Sequence, residues 1–320
     1  MEIKMKKTNI SALLLAALLL IQLLCAPVSA VTAEPAADAQ ADAQTATDNS
    51  AEDAAAADDS VPEDQLLSSR EQFSVAAKAA LLIDLNTNRV VYEQDADERV
   101  YPASLTKIMT CLIALENGNL SDVVTVSESA LADLDEDSSV AGLVVGEQMT
   151  LENLLYCMMV VSGNDACNVI AEHVAGSVTD FVRMMNQRAY ELGCTNTHFN
   201  NPHGLHDESH YTTARDLAII TQAALKSENF RQIVDTYEYK LPDDNMRQNI
   251  PKLKTTNMLI YQSMSNSLYY PRAHGIKTGY TSQAGRCVIS EATGDGLDLL
   301  GIVCGAATTV LDSGDLLMEN

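Results

Sequence analysis

Ser104 and Lys107 place a hydroxyl and an amine three residues apart in the run Tyr101-Pro102-Ala103-Ser104-Leu105-Thr106-Lys107. On a helix such positions share a face, with Cβ atoms roughly 5–6 Å apart. The amine can then take the proton of the hydroxyl and turn it into a nucleophile. That chemistry needs an uncharged lysine, because an ammonium has no lone pair, and burial is what favours the neutral form. Pro102 and Ala103 suit the first positions of a helix, where a missing N–H does no harm. Leu105, Ile108, Met109, Leu112, Ile113 and Leu115 continue at helical spacing, which predicts a helix from about Pro102 to Gly118 with Ser104 at its positive end. Ser-x-x-Lys also recurs by chance on solvated helix surfaces, so context must decide.

Two further groups supply context. Ser162-Gly163-Asn164 interrupts an otherwise apolar segment and puts two polar side chains at a helix–helix junction. Lys277-Thr278-Gly279 falls in an extended stretch, where Gly279 would let a ligand backbone come close. Singly, each is common: a cap in the first case, an edge-strand lysine in the second. The ordered set, with each member in a fitting local structure, predicts an active-serine site.

The elements that must hold these groups are legible in outline. Ala79–Asp84 is a strand-like run, Arg89-Val90-Val91-Tyr92-Glu93 its partner, and Asn86-Thr87-Asn88 the turn between them, predicting a hairpin. Val123–Val126 is a short extended piece, followed by an acidic loop at 133–137. Thr150 is placed to cap a helix over 151–161 that is apolar nearly all round and therefore belongs inside. A second helix runs from Asn164 to about Ala175, and a third, opened by Thr179, runs to Leu192. Thr213-Ala214-Arg215-Asp216 resembles a capping box for a helix ending near Leu225. Strand candidates close the series at 275–280, 286–292 and 297–305. Strands at both ends with helices between predict an α+β fold: five antiparallel strands in one sheet, flanked by helices, with a helical lobe against it and a site between the two.

Composition bounds the setting. The chain has 320 residues and a net charge of −24, which argues against nucleic acid as a partner. Lys4, Lys6 and Lys7, an apolar run from Ile10 to Leu24, and Val28-Ser29-Ala30 form a secretion signal over 1–30. The bulky Leu24 before Cys25 speaks against a lipid anchor. Residues 31–69 hold ten acidic residues and no Lys or Arg, a disordered, acidic, Ala-rich linker by composition. The folded part is then 70–320, exported by the Sec route to an extracytoplasmic place. Of the seven cysteines, the six after the signal sit in apolar surroundings and read as buried thiols. His203, His206 and His210 do not share a helix face or a zinc spacing, and loop packing is the simpler role.

Pro102-Ala103-Ser104-Leu105-Thr106-Lys107-Ile108-Met109-Thr110, Ser162-Gly163-Asn164-Asp165-Ala166, Asn201-Pro202-His203-Gly204-Leu205 and Gly275-Ile276-Lys277-Thr278-Gly279-Tyr280-Thr281 together give a specific match. Over about 74–306 the sequence resembles the serine-type D-alanyl-D-alanine carboxypeptidases, low-molecular-mass penicillin-binding proteins of peptidase family S11. The resemblance implies a β-lactamase/transpeptidase-like fold and a peptidoglycan stem pentapeptide as substrate, with loss of its terminal D-Ala. Ser104 would form the acyl-enzyme, Lys107 take its proton, and Ser162 relay a proton to the leaving amine. Asn164 would hold the substrate amide and orient Lys107. Lys277, in more polar surroundings, would stay charged and meet the terminal carboxylate with Thr278. Gly279 and Tyr280 would line the site, with the oxyanion between the N–H groups of Ser104 and Tyr280, each such donor typically worth ~3–4 kcal/mol. β-Lactams would acylate Ser104, and no metal or organic cofactor is implied.

Two departures stand out. Many relatives carry an arginine shortly after the last core strand, whereas here Ala306-Ala307-Thr308-Thr309-Val310-Leu311-Asp312 follows and no Lys or Arg comes after Arg286. Relatives also continue into a β-rich domain and an amphipathic anchor that are not read in this sequence, which leaves peripheral membrane association to the leader. The alternatives share the fold or the motifs: a DD-endopeptidase, a β-lactamase, or a non-catalytic wall-binding homologue. A β-lactamase would need Glu-x-x-x-Asn or a near variant to activate water, and Glu172, Glu191, Glu208, Glu228 and Glu238 are not followed by Asn at that spacing.

Overall fold

The computed structural model describes residues 74–307 apart from 133, 135–137 and 264, with short backbone pieces at 309–310 and 316–317. The secretion signal, the acidic linker and most of the acidic loop read from the sequence lie outside the described residues.

Strand β1 (Ala79–Asp84) turns back into β2 (Arg89–Gln94), and the pair is antiparallel. Ala79 to Ile83 are all buried, so the strand is covered on both faces. That explains its continuous apolar run where a half-exposed strand would alternate. A 3-10 turn over Ala103–Thr106 leads into helix α1 (Lys107–Asn117), whose residues 107–114 are buried. The expected regular helical start at Pro102 and Ala103 is corrected here. Ala103 takes φ +48°, a left-handed conformation uncommon for a side-chain-bearing residue. Ser104 therefore sits on a tight turn rather than in the helix proper.

Beyond α1 come β3 (Val123–Thr125), the short α2 (Glu128–Ala132) and β4 (Gln148–Thr150), with β3 and β4 paired as a small ribbon. The Thr150 side chain accepts from Asn153 N and starts α3 (Leu151–Val160), buried at nine of its ten positions. Helices α4 (Asn164–Ala175) and α5 (Val178–Glu191) follow, α4 packing on α3 and α5 on α4. The cap of α5 is Ser177, not the expected Thr179: Ser177 Oγ accepts from Asp180 N at 3.0 Å. Thr213 caps α6 (Ala214–Ala224), but the reciprocal half of a capping box is absent. The Asp216 carboxylate instead takes Asn196 N and Thr197 Oγ1 and fastens the preceding loop. A helix not foreseen, α7 (Glu228–Val234), is capped by Ser227 and packs on α3. A two-residue ribbon, β5 (Glu238–Tyr239) with β6 (Leu253–Lys254), precedes the last three strands.

Those strands are β7 (Ala273–Thr281), β8 (Gly285–Gly294) and β9 (Leu297–Ala306). The main sheet runs β2-β1-β9-β8-β7 and is antiparallel throughout. First and last strands of this sheet thus pair directly, Ala79 opposite Cys304 and Asp84 opposite Leu299. Helix α6 packs on β1, β9 and α1, while β7 packs on the turn that carries Ser104. No helix among the described residues is long and apolar enough to cross a membrane.

Candidate active site

Three segments distant in sequence converge on one cavity of about 450 Å³. Ser104, Ser162, Asn164, Thr278, Gly279 and Tyr280 line it. Lys107 and Lys277 lie just behind that lining, at 0% and 1% exposure. All eight residues named from the sequence are therefore in or against one site.

Lys107 is its hub. Its Nζ lies 3.0 Å from Ser104 Oγ, 2.7 Å from Asn164 Oδ1 and 2.7 Å from the His203 carbonyl. Three acceptors would satisfy an ammonium, but none of them carries a charge to offset its burial. Desolvation accordingly pushes the Lys107 amine below its ordinary value, with Cys167 and Asp165 opposing the shift. In the neutral form two N–H groups go to the carbonyl oxygens of Asn164 and His203. The lone pair is then left facing the Ser104 hydroxyl, which is the arrangement a general base requires.

The second lysine departs from expectation. Lys277 does not lie in more polar surroundings; its Nζ donates to the Thr278 carbonyl at 2.9 Å and has no carboxylate partner among the described residues. Burial first, and the neighbouring Lys107 second, hold it well below the ordinary lysine range. Without a ligand both amines are driven toward neutrality, and a ligand anion is what would restore charge to Lys277.

Gly279 is also needed for a reason the sequence reading missed. A Cβ there would come to 2.9 Å from Ser104 N, 3.2 Å from Ala103 Cβ and 3.2 Å from the Pro102 carbonyl. The closeness it permits is between β7 and the Ser104 turn, which brings the Ser104 N–H beside the Gly279–Tyr280 backbone. Thr278 Oγ1 meets Thr256 Oγ1 at 2.6 Å on the cavity wall. Ser162, like Ala103, is left-handed, at φ +63°. Two such residues flanking one cavity are strained positions of the kind that cluster at working sites.

Loop 199–212 and Asp165 fix this arrangement. Asn200 N donates to His210 Nδ1 at 3.2 Å, so the other nitrogen, Nε2, carries the proton that reaches Thr106 Oγ1 at 2.9 Å. Thr110 Oγ1 donates to the Pro202 carbonyl at 2.6 Å. Burial lowers His203 to about 3 and His210 to about 4, so both are neutral packing groups near pH 7. Gly204, at φ +92°, touches the Ala103 carbonyl so closely that an added Cβ would lie 1.8 Å from that oxygen. Asp165 accepts four backbone N–H bonds, from Ala141, Gly142, Leu143 and Ala166, at 2.9 to 3.0 Å. It thereby pins the loop whose Ser138 and Ser139 line the cavity. Sequence reasoning did not single out Asp165 or the His203 carbonyl. A buried acid one residue beyond Asn164 and a carbonyl after proline were the available signals. Among the described residues no group of three His, Cys, Asp or Glu is arranged to hold a metal ion, and all six described cysteines are buried free thiols.

Known proteins resemble this chain in both sequence and fold. The family model for Peptidase S11, D-alanyl-D-alanine carboxypeptidase, matches residues 66–308. The D-alanyl-D-alanine carboxypeptidase DacF of Bacillus subtilis is 40% identical over 240 residues, 72% of this chain and 58% of that protein. DacC of Escherichia coli is 35% identical, covering 74% and 58%. The chain thus spans about 58% of the length of these curated relatives. The crystal structure of a Streptomyces DD-transpeptidase superposes with TM-score 0.66 at 32% identity, over 73% of this chain and 91% of that one. Penicillin binding protein 5 of Haemophilus influenzae gives 0.64 at 34% identity, over 73% and 66%. The chain has the transpeptidase fold of these neighbours and belongs to the Peptidase S11 family of D-alanyl-D-alanine carboxypeptidases.

Proposed function

We propose that the protein is a serine DD-carboxypeptidase that removes the terminal D-Ala from peptidoglycan stem pentapeptides outside the cytoplasm. The observation that carries this is the Lys107 amine, fully buried, hydrogen-bonded among the described residues only to uncharged groups and 3.0 Å from Ser104 Oγ. Ser104 Oγ attacks the carbonyl between the two D-alanines as Lys107 Nζ takes its proton. The oxyanion rests between the N–H groups of Ser104 and Tyr280. Ser162 passes a proton to the departing D-Ala nitrogen, and the C–N bond breaks to leave an acyl-enzyme ester. Asn164 holds the stem amide while keeping Lys107 in place, and Lys277 with Thr278 meets the free carboxylate. Water then attacks the ester and releases the shortened stem. A β-lactam carbonyl enters the same path, and its tethered leaving group stays in the site.

The test compares the purified chain with Ser104→Ala on a pentapeptide ending in D-Ala-D-Ala, reading free D-alanine and, separately, covalent labelling by a fluorescent penicillin. Release and labelling by the wild type alone are expected. Release by both proteins, or by neither, would overturn the assignment.

A further inference from the structure

Arg286 is the feature of the cavity that the reaction above leaves unused. It lines the same cavity as Ser104. On the sheet it is the register partner of Tyr280 on β7 and of Ala306 on β9. Six other arginines, Arg183, Arg188, Arg215, Arg231, Arg247 and Arg272, each pair with a carboxylate. Arg286 has no ion pair among the described residues, and its buried Nε has no hydrogen-bond partner. Its guanidinium carbon lies 5.5 Å from the centroid of the Tyr280 ring. In a chain of net charge −24, a cation beside a cavity with no acid to pair it is suited to a ligand anion.

We propose that Arg286 is a specificity-determining residue, its guanidinium receiving the free carboxylate at the end of the peptide and so restricting cleavage to chain ends. This rests on the carboxypeptidase reading. The register supports it. The proposed oxyanion donors are the N–H groups of Ser104 and Tyr280, and the terminal carboxylate lies one residue, roughly 3.5 Å, beyond the scissile carbonyl. Arg286 stands one strand, about 4.8 Å, across from Tyr280, a span its long side chain covers. A guanidinium offers a planar fork matched to both carboxylate oxygens and stays charged whatever its surroundings. Lys277, buried with only a carbonyl for company, cannot supply a permanent charge before the ligand arrives. Arg286 can.

The test uses the full chain, with Arg286→Leu and Arg286→Lys, on an N-acyl-L-Lys-D-Ala-D-Ala peptide and its C-terminal amide. The readout is kcat/KM for release of D-alanine or D-alaninamide. The wild-type ratio of acid to amide should fall about 100-fold in Arg286→Leu, the scale of a lost bidentate charged contact, and only partly in Arg286→Lys. An unchanged ratio overturns the proposal, whether both rates fall together through misfolding or neither moves. A wild type that releases no D-alanine and takes no labelled penicillin instead defeats the carboxypeptidase reading itself.

Discussion

In the proposed reaction Lys107 has work only while it lacks a proton, and nothing chemical in its own side chain ensures that. Burial does. Protonation of Lys107 removes the base, so acylation of Ser104 should rise with pH through the depressed lysine value and then level off. Arginine cannot stand in for it, because a guanidinium stays protonated at any working pH. Lys107→Arg should therefore cut the rate of penicillin labelling by roughly 10²–10⁴, the usual worth of a positioned base, while a thermal melt shows the fold retained. Equal labelling by the variant would show that another group takes the proton. The motifs around Ser104, Ser162 and Lys277 were legible because they are local strings. The burial of Lys277 was not, since the packing of β7 against the Ser104 turn decides it. Nor was the left-handed Ala103, whose carbonyl is in contact with Gly204, far along the chain.

At the scale of elements, apolar pattern and caps told most of the story. The buried run of β1 and the Thr150 cap of α3 stand where the pattern puts them. The short α7 was missed because its seven residues carry too few turns for a period to show. Two element-level predictions follow from carboxylates. Asp165→Ala strips the acceptor from four N–H groups, three of them in the loop over 141–143. A loss of roughly 2–4 kcal/mol in urea unfolding is expected, because buried donors left unpaired each cost about 1–3 kcal/mol and some regain water. Slower penicillin labelling should accompany it, and an unchanged midpoint would show that the loop is held by other means. On β9, Asp298 lies beside Glu291 of β8, and its carboxyl is pushed up to about 6 by burial first and by Glu291 second. Between its ordinary 3.8 and about 6 the folded protein keeps a proton that the unfolded chain gives up, so stability falls as pH rises through that window. Asp298→Asn should gain ~1 kcal/mol at pH 7, a figure discounted for its partial exposure, and almost nothing at about pH 3, below the window. Melting curves at the two pH values check this, and equal gains at both would refute it.

For the molecule as a whole, the sheet order matters most. β1 is flanked by β2 on one side and by β9 on the other, so the earliest strand of the sheet waits for the last. Ser104 and Lys107 come from one segment, and the sheet sets β7, a wall of the cavity, against it. Labelling by fluorescent penicillin and far-UV signal should be lost at the same urea concentration. Labelling that outlasts the secondary structure would show that the site assembles without the sheet.

The closure of β1 on β9 has a bearing on when the site becomes complete. Ser104 and Lys107 meet within one short stretch of chain, yet the β7 backbone that lies against the Ser104 N–H takes its place in a sheet that only this pairing completes. In the proposed reaction reactivity is thus a late acquisition, and a penicillin adduct would serve as a certificate that the sheet has closed.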